Sequence, residues 1–258
     1  MRYLYCLLCG MFLAMGYAWA RPSDTIVRVD RPLPAFSQIV IQDGVEVFFT
    51  TGSFGCVIEC RPGNDSFLVT EVEKSVLTLR ITAPKIGTRV YLSAPQLERV
   101  EIATIGSFTA LNPLQAGHLE LLLKGAARME TRGVRASTLS VKQYGTAMFK
   151  DMGNIAAHQV EALMYGVGSM QMDSLRAKSV MLHIKGSGAI KVIGCVNAPL
   201  LEVLVNGLGS LQCRGVDAQQ TNAELKGAGL IRLEGKTVHL QSNVVGLGKL
   251  DTEKLRRD

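Results

Sequence analysis

The sequence has little of what most enzymes and metal proteins need. Among 258 residues tryptophan occurs once, at Trp19, and histidine four times, at His118, His158, His183 and His239. There is no H-E-x-x-H, no G-x-S-x-G and no paired C-x2-C, so the signatures of zinc proteases, serine hydrolases and four-cysteine zinc sites are missing. Beyond the first twenty residues no run is long and apolar enough to be a transmembrane helix. Charge blocks are also lacking: Lys and Arg are dispersed through a chain of formal charge +6. That mild excess favours anionic surfaces weakly and points away from nucleic acid.

What is present begins with an export signal. Arg2 is a short positive region, residues 4–15 are apolar but too short to span a bilayer, and Ala18-Trp19-Ala20 is the small-x-small pattern that a signal peptidase reads. Residues 1–20 are therefore expected to be a signal peptide, with Arg21 as the new N-terminus and the protein in the periplasm, at the cell surface or secreted. Acylation of Cys9 in "LLCG" is the alternative. Cleavage removes only one charge, that of Arg2, so the formal +6 becomes +5, and it removes the tryptophan. Cys56, Cys60, Cys195 and Cys213 remain. Cys56 and Cys60 sit four apart in a strand-like run, roughly 13 Å at the extended rise and out of disulfide reach. At least three of the four read as small buried apolar residues.

A repeat dominates the remainder. Gly106, Gly125, Gly145, Gly166, Gly186, Gly207, Gly227 and Gly246 follow one another at spacings of 19, 20, 21, 20, 21, 20 and 19. Aligned on this glycine, the column six before it reads Val100, Leu119, Leu139, Val160, Val180, Leu201, Thr221 and Leu240. The columns two before and four after are also mostly apolar, while the columns five before and five after are mostly polar. Alternation of period two is the strand signature, so each repeat is a strand, a glycine bend and a second strand. A second glycine recurs two residues on, in Gly166/Gly168, Gly186/Gly188, Gly207/Gly209, Gly227/Gly229 and Gly246/Gly248. These pairs resemble a phosphate loop, but a strand follows rather than a helix. They read as structural corners, with both glycines of a pair expected to turn the backbone where a side chain would clash and to take positive φ at little cost. One coil cannot bury its inner face; stacked coils can. The expected fold is all-β: a parallel β-helix, taken as right-handed, of about seven to eight coils with a ~20-residue repeat.

Residues 25–96 are β-rich without that register, with short turn-like connections suggesting hairpins and meanders that cap one end of the solenoid. The expected organisation is a signal peptide at 1–20, a β-rich N-terminal segment at 21–96, the repeat region at 97–252 and a tail at 253–258. The order "RPLPAFSQIVIQDGVEVFFTTG", "RPGNDSFLVTEVEKSVLTLRI", "VYLSAPQLERVEIATIGSF", then coils of the type "VNGLGSL" and "KGAGLI", resembles the auto-transporter adhesin, head GIN domain family, found mainly in Bacteroidota. The resemblance spans residues 36–250. It implies an exported β-helical protein with an adhesion or envelope role, and it supplies no catalytic residue. The early coils depart from the family's fuller corner, with Phe108, Ala127 and Ala147 at the second-glycine position and no corner aspartate.

Two outward columns are candidates for binding. Tyr144 and Tyr165 stand in one column on consecutive coils, followed by Lys185, Asn206 and Lys226, and could contact a sugar or an anionic polymer. The competing reading is an aromatic ladder that only stabilises the coil surface. Glu101 and Glu120 on adjacent coils, with Glu161 and Glu202 on alternate ones, would form a broken acidic ladder, able to hold a cation or a protonated carboxyl or simply to solvate an edge. No cofactor and no metal are expected. His118 and His239 share a column, but six coils apart. The preferred reading is a non-catalytic envelope or surface protein whose rigid face binds a surface glycan or an envelope or host protein, with homo-oligomer formation through strand edges. A periplasmic binding or scaffold module is the alternative, and a β-helical carbohydrate-active enzyme stands third. The tail "LDTEKLRRD" ends the last coil almost at once, from which no anchoring barrel is expected in this chain.

Overall fold

The computed structural model describes residues 25–83 and 87–257; the expected signal peptide, the Cys9 alternative and residues 84–86 of one expected connection lie outside the described residues. The chain is a stacked β-solenoid of about eight turns, nearly all strand. Each coil runs along a long face, turns at the glycine corner, crosses a shorter second face, and returns along a short third face. In one coil these are Ser179–Gly186, Ala189–Val192 and Val196–Asn197. Each pairs in parallel with its counterpart in the next coil: Val180 with Leu201, Ile190 with Leu211, and Val196 with Val216. The third face was not visible in the repeat because it contributes only two or three residues per turn.

The inner columns make the core. Leu119, Leu139, Val160, Val180 and Leu201 stack above one another, each at most 2% exposed. Each such side chain contributes roughly 1.5–3 kcal/mol by leaving water. Polar members of these columns make internal hydrogen bonds: Thr221 bonds Thr237 through their hydroxyls at 2.9 Å, and the buried Gln143 amide nitrogen donates to the Ala147 carbonyl, while the Gln143 side-chain oxygen has no partner among the described residues. Cys56, Cys60 and Cys213 are buried free thiols, and Cys195 is an exposed one.

The first glycine of each pair behaves as expected: Gly166, Gly186, Gly207, Gly227 and Gly246 all have positive φ. Gly207 has φ +128°, and a Cβ built there would lie 2.5 Å from the carbonyl oxygen of Gly186 one coil above. The same contact recurs from Gly227 to Gly207. These corners stack backbone on backbone, which leaves no room for a side chain.

The second glycines overturn the expectation of positive φ. Gly168, Gly188, Gly209, Gly229 and Gly248 all lie outside the left-handed region, so their backbone conformation does not itself demand glycine. Close approach does. A Cβ at Gly209 would lie 2.6 Å from the Ile184 side chain and 2.9 Å from the Gly188 carbonyl oxygen. Gly229 meets Val205 and the Gly209 carbonyl in the same way, Gly248 meets Leu225 and the Gly229 carbonyl, and Gly188 meets Met164 and the Gly168 carbonyl. At Gly168 the obstacles are the Gln143 amide and the Ala147 carbonyl that this amide binds. Each obstructing side chain comes from the inward column two residues before the corner of the previous coil. The second glycine therefore makes room for a neighbour's core side chain, and the bend itself belongs to the first.

The N-terminal segment departs from expectation. Strands β1 (Val27–Asp30), β2 (Gln38–Ile41), β3 (Val45–Thr51), β4 (Gly55–Cys60), β5 (Leu68–Glu73), β6 (Val76–Ile81), β7 (Arg89–Ala94), β8 (Arg99–Ile102) and β9 (Ile105–Ala110) are not a separate meander. The pairs β2–β3 and β6–β7 are themselves coils of the solenoid. β2 lies parallel between β6 and β8, and β3 lies parallel between β7 and β9. The chain therefore builds one coil, steps past it to build the terminal coil, and returns to the other side to start the regular repeat. Ile39 faces Leu77 on one side and Val100 on the other, separations of 38 and 61 residues that no twenty-residue period would reveal. Antiparallel strands close the end: β5 forms a hairpin with β6, β4 pairs with β7, and β1 pairs with β4.

Register at the first regular coil also differs from the alignment on Gly106. Thr104 stacks on Gly125, and Gly106 pairs with Ala127, which places Gly106 in the second-glycine column. Phe108 is not a substituted corner glycine; it pairs with Met129, is fully buried, and stacks on Phe49 with centroids 5.9 Å apart. The two-residue slip preserves inward-outward parity, which is why the apolar columns looked intact.

Candidate functional site

The outward side of the long face is where sequence and structure place side chains in reach of a ligand. Tyr144, Tyr165, Lys185, Asn206 and Lys226 occupy successive rungs of one column, set by the four pairings between five consecutive coils. Strand spacing of about 4.8 Å brings identical side chains into stacking range. The two tyrosine rings lie 5.1 Å apart at 7°, nearly parallel. Tyr144 remains 39% exposed. Below them, Lys185 has no ion-pair or hydrogen-bond partner among the described residues, whereas Lys226 is held by Glu224 at 2.7 Å.

A second aromatic stack lies on the N-terminal coils, where Phe48 and Tyr91 pair across β3 and β7 at 5.1 Å and 19°. The Arg28 guanidinium sits 5.9 Å from the centre of the Tyr91 ring. Sequence reasoning missed this pair because β3 and β7 were not aligned as coils.

The acidic ladder is shorter than expected. Glu120, Glu161 and Glu202 do share a column, alternating with Ser140 and Met181 and continuing to Asn222 and Gln241. Glu101 does not belong to it: Arg99 is the residue that pairs with Glu120, and Glu101 pairs with Leu122, because of the two-residue slip at the first coil. These carboxylates are engaged locally. Glu101 binds Lys124 at 2.7 Å and Arg99 at 2.6 Å; Glu120 binds Lys142 at 3.0 Å. Glu161 accepts from the Ser140 hydroxyl at 3.0 Å, and Glu202 from the Asn222 amide at 3.4 Å. The Glu120 hydrogen bond raises the Lys142 ammonium above its ordinary value, opposed by partial burial. Among the described residues no three His, Cys, Asp or Glu side chains converge as a metal site would require. His118 and His239 share their column as expected, through Thr138, Gln159, Ser179, Leu200 and Gln220.

Beside the tyrosine column, a shallow groove of about 450 Å³ runs down the same face between His183, Glu202, Asn222, Glu224 and Asn243. His183 lies two residues before Lys185 on the same outward side of the strand and 6.3 Å from the Tyr165 ring. Burial lowers its imidazole below the usual range, helped by Lys185 and opposed by Glu161. His183 and Glu224 escaped the sequence reading although both share the outward parity of the two columns singled out; the column they occupy mixes Leu, Lys, His, Glu and Asn and carries no compositional signal.

Comparison with known proteins agrees with this architecture. None of the curated proteins matches the chain. Among solved structures, an adhesin of Parabacteroides distasonis described as putative superposes with a TM-score of 0.82 at 18% identity, covering 89% of this chain and 98% of that one. One from Parabacteroides merdae, described in the same way, gives 0.74 at 16% identity, covering 89% and 96%. A protein of Parabacteroides distasonis described as a putative lipid binding protein gives 0.78 at 16% identity, covering 89% and 97%. At such identities these likenesses speak for the fold. The family described as "putative auto-transporter adhesin, head GIN domain" matches residues 35–194 and 180–258, and the chain belongs to that family.

Proposed function

We propose that this protein is an exported, non-catalytic adhesin-type binding protein whose long solenoid face contacts a surface glycan through the Tyr144–Tyr165 stack and Lys185. The observation that carries this reading is the near-parallel pair of rings, 5.1 Å apart and partly exposed, beside an ammonium group with no partner among the described residues. Aromatic faces stack on the apolar faces of sugar rings, and a neighbouring cation selects for acidic substituents. A rigid stack of parallel strands holds these groups in place before the ligand arrives, so little ordering entropy opposes binding. The adhesin description of the family supports the same reading.

The test is a glycan array probed with the mature chain and with the double variant Tyr144→Ala/Tyr165→Ala. Binding to the best glycan is expected to weaken at least tenfold, about 1.4 kcal/mol. Unchanged binding by the double variant would remove the tyrosine column from the account.

A further inference from the structure

A different face carries a second cluster that the repeat did not reveal. On the third face Arg135 pairs with Ala156, and Ala156 with Arg176, so the two arginines share one column two coils apart. At a strand spacing of about 4.8 Å their backbones are roughly 9.6 Å apart. Arg132 stands at the corner leading into this face, stacked directly over Gly153. The three arginines line one open groove of about 470 Å³, together with Asn154, Ser174 and Cys195. Its middle is kept clear by the small residues Gly153 and Ala156.

All three arginines are exposed, and none has an ion pair or hydrogen bond among the described residues. Arg28, Arg89, Arg99, Arg128 and Arg232, by contrast, each hold a carboxylate. The nearby carboxylate of Asp151 cannot neutralise the groove, because it is turned inward and enclosed. It accepts from the Thr131 hydroxyl at 2.5 Å, from the Gly133 N–H at 2.8 Å and from the Gly153 N–H at 3.0 Å. Among the described residues no carboxylate, Asp173 beside Ser174 included, lies within ion-pair distance of the three guanidinium groups, so their donors are open to an incoming oxyanion. The Asn154 amide and the Ser174 hydroxyl add neutral donors beside them.

We propose that this groove binds a linear anionic polysaccharide lying along the solenoid axis, with Arg135 and Arg176 taking carboxylate or sulfate groups of successive repeating units and Arg132 contacting the same chain at the corner. Planar guanidinium groups match carboxylates and sulfates through paired hydrogen bonds. Placement in one column, two coils apart, suits charges repeated along an extended polymer. The groove lining contains no aromatic ring on which a nucleobase would stack, which favours a polysaccharide over a single-stranded nucleic acid. The site goes beyond the tyrosine reading and stands independently of it, on another face of the coil.

The experiment uses the mature chain and fluorescence anisotropy at several salt concentrations. The probes are labelled oligogalacturonate for carboxylates, a chondroitin sulfate oligosaccharide for sulfates, neutral maltohexaose, and single-stranded DNA as an unrelated polyanion. The double variant Arg135→Ser/Arg176→Ser is compared with Lys191→Ser/Lys254→Ser, which removes the same charge from exposed positions outside the groove. The proposal expects at least one acidic oligosaccharide to bind, maltohexaose not to bind, and the arginine variant alone to lose tenfold or more with a shallower salt dependence. Labelling of the exposed Cys195 thiol should also slow when that oligosaccharide is present. Equal weakening by both double variants, no binding of either acidic oligosaccharide, or equally tight arginine-dependent binding of the DNA would each overturn it. Loss of tyrosine-dependent binding with arginine-dependent binding intact would overturn only the tyrosine reading.

Discussion

His183 shows how one residue on the long face couples structure to solution conditions. It stands in a column between Leu163 and Leu204, with Tyr165, Lys185 and Glu161 around it. Burial is the largest cause of its lowered pKa, so the folded protein resists protonating an imidazole that the unfolded chain protonates at its ordinary value of 6.5. As pH falls through that value the unfolded state binds more protons than the folded state, and stability falls with it. His183's full contribution is therefore present above pH 6.5 and is lost as pH drops toward its lower folded value. Urea midpoints at pH 7.5 and 5.5 should separate further in the natural protein than in His183→Gln. An equal acid sensitivity of the two would place the effect elsewhere.

At the scale of the element, the glycine corner is the repeating part on which the stack depends. Gly186, Gly207 and Gly227 take φ of +136°, +128° and +116°, and each lies against the carbonyl of the corner above. Gly207→Ala should cost at least about 2 kcal/mol, combining an unfavourable φ with a backbone clash that cannot relax within a stack. Gly52→Ala, with open space around it and no positive φ, should be nearly neutral by the same denaturation measurement. A small effect at Gly207 would mean that the corners are looser than their geometry implies. These corners were legible in the sequence because every regular coil must turn where no side chain fits, so glycine recurs with the coil. The reason for the second glycine was not legible: a recurring glycine shows that a side chain is excluded, but at Gly209 the excluding agent is Ile184 of another coil and not the local φ. Inward columns could be read because alternation follows from the strand itself. The N-terminal coils were hidden because β4 and β5 intervene between β3 and β6, and the coil formed by β2 and β3 is flanked by segments that come later in the chain. Glu101 was placed in the acidic column because Gly106 was matched to the wrong glycine of the pair. The arginine groove was invisible because Arg132, Arg135 and Arg176 lie beyond the columns that flank the corner.

The whole molecule is a rod of parallel strands with a filled interior, so its binding capacity lies on its outer faces. Antiparallel strands cover the N-terminal end, where β4 and β5 bury Cys56, Ile58, Cys60 and Leu68. Toward the other end Val244, Val245 and Leu247 are exposed, at 42%, 55% and 94%. The long face presents the tyrosine column and the third face the arginine groove. A rigid scaffold with separate outward patches suits attachment to extended ligands, since several weak contacts held at fixed spacing bind jointly more tightly than any one of them. Such attachment requires the protein to be outside the cell's permeability barrier. The most direct test is protease treatment of intact cells of the source organism, with the chain followed by antibody before and after osmotic opening of the envelope. The account predicts loss of the protein from intact cells under conditions that spare a periplasmic marker. Survival until the envelope is opened would contradict a surface adhesin and leave a periplasmic binding or scaffold module in its place.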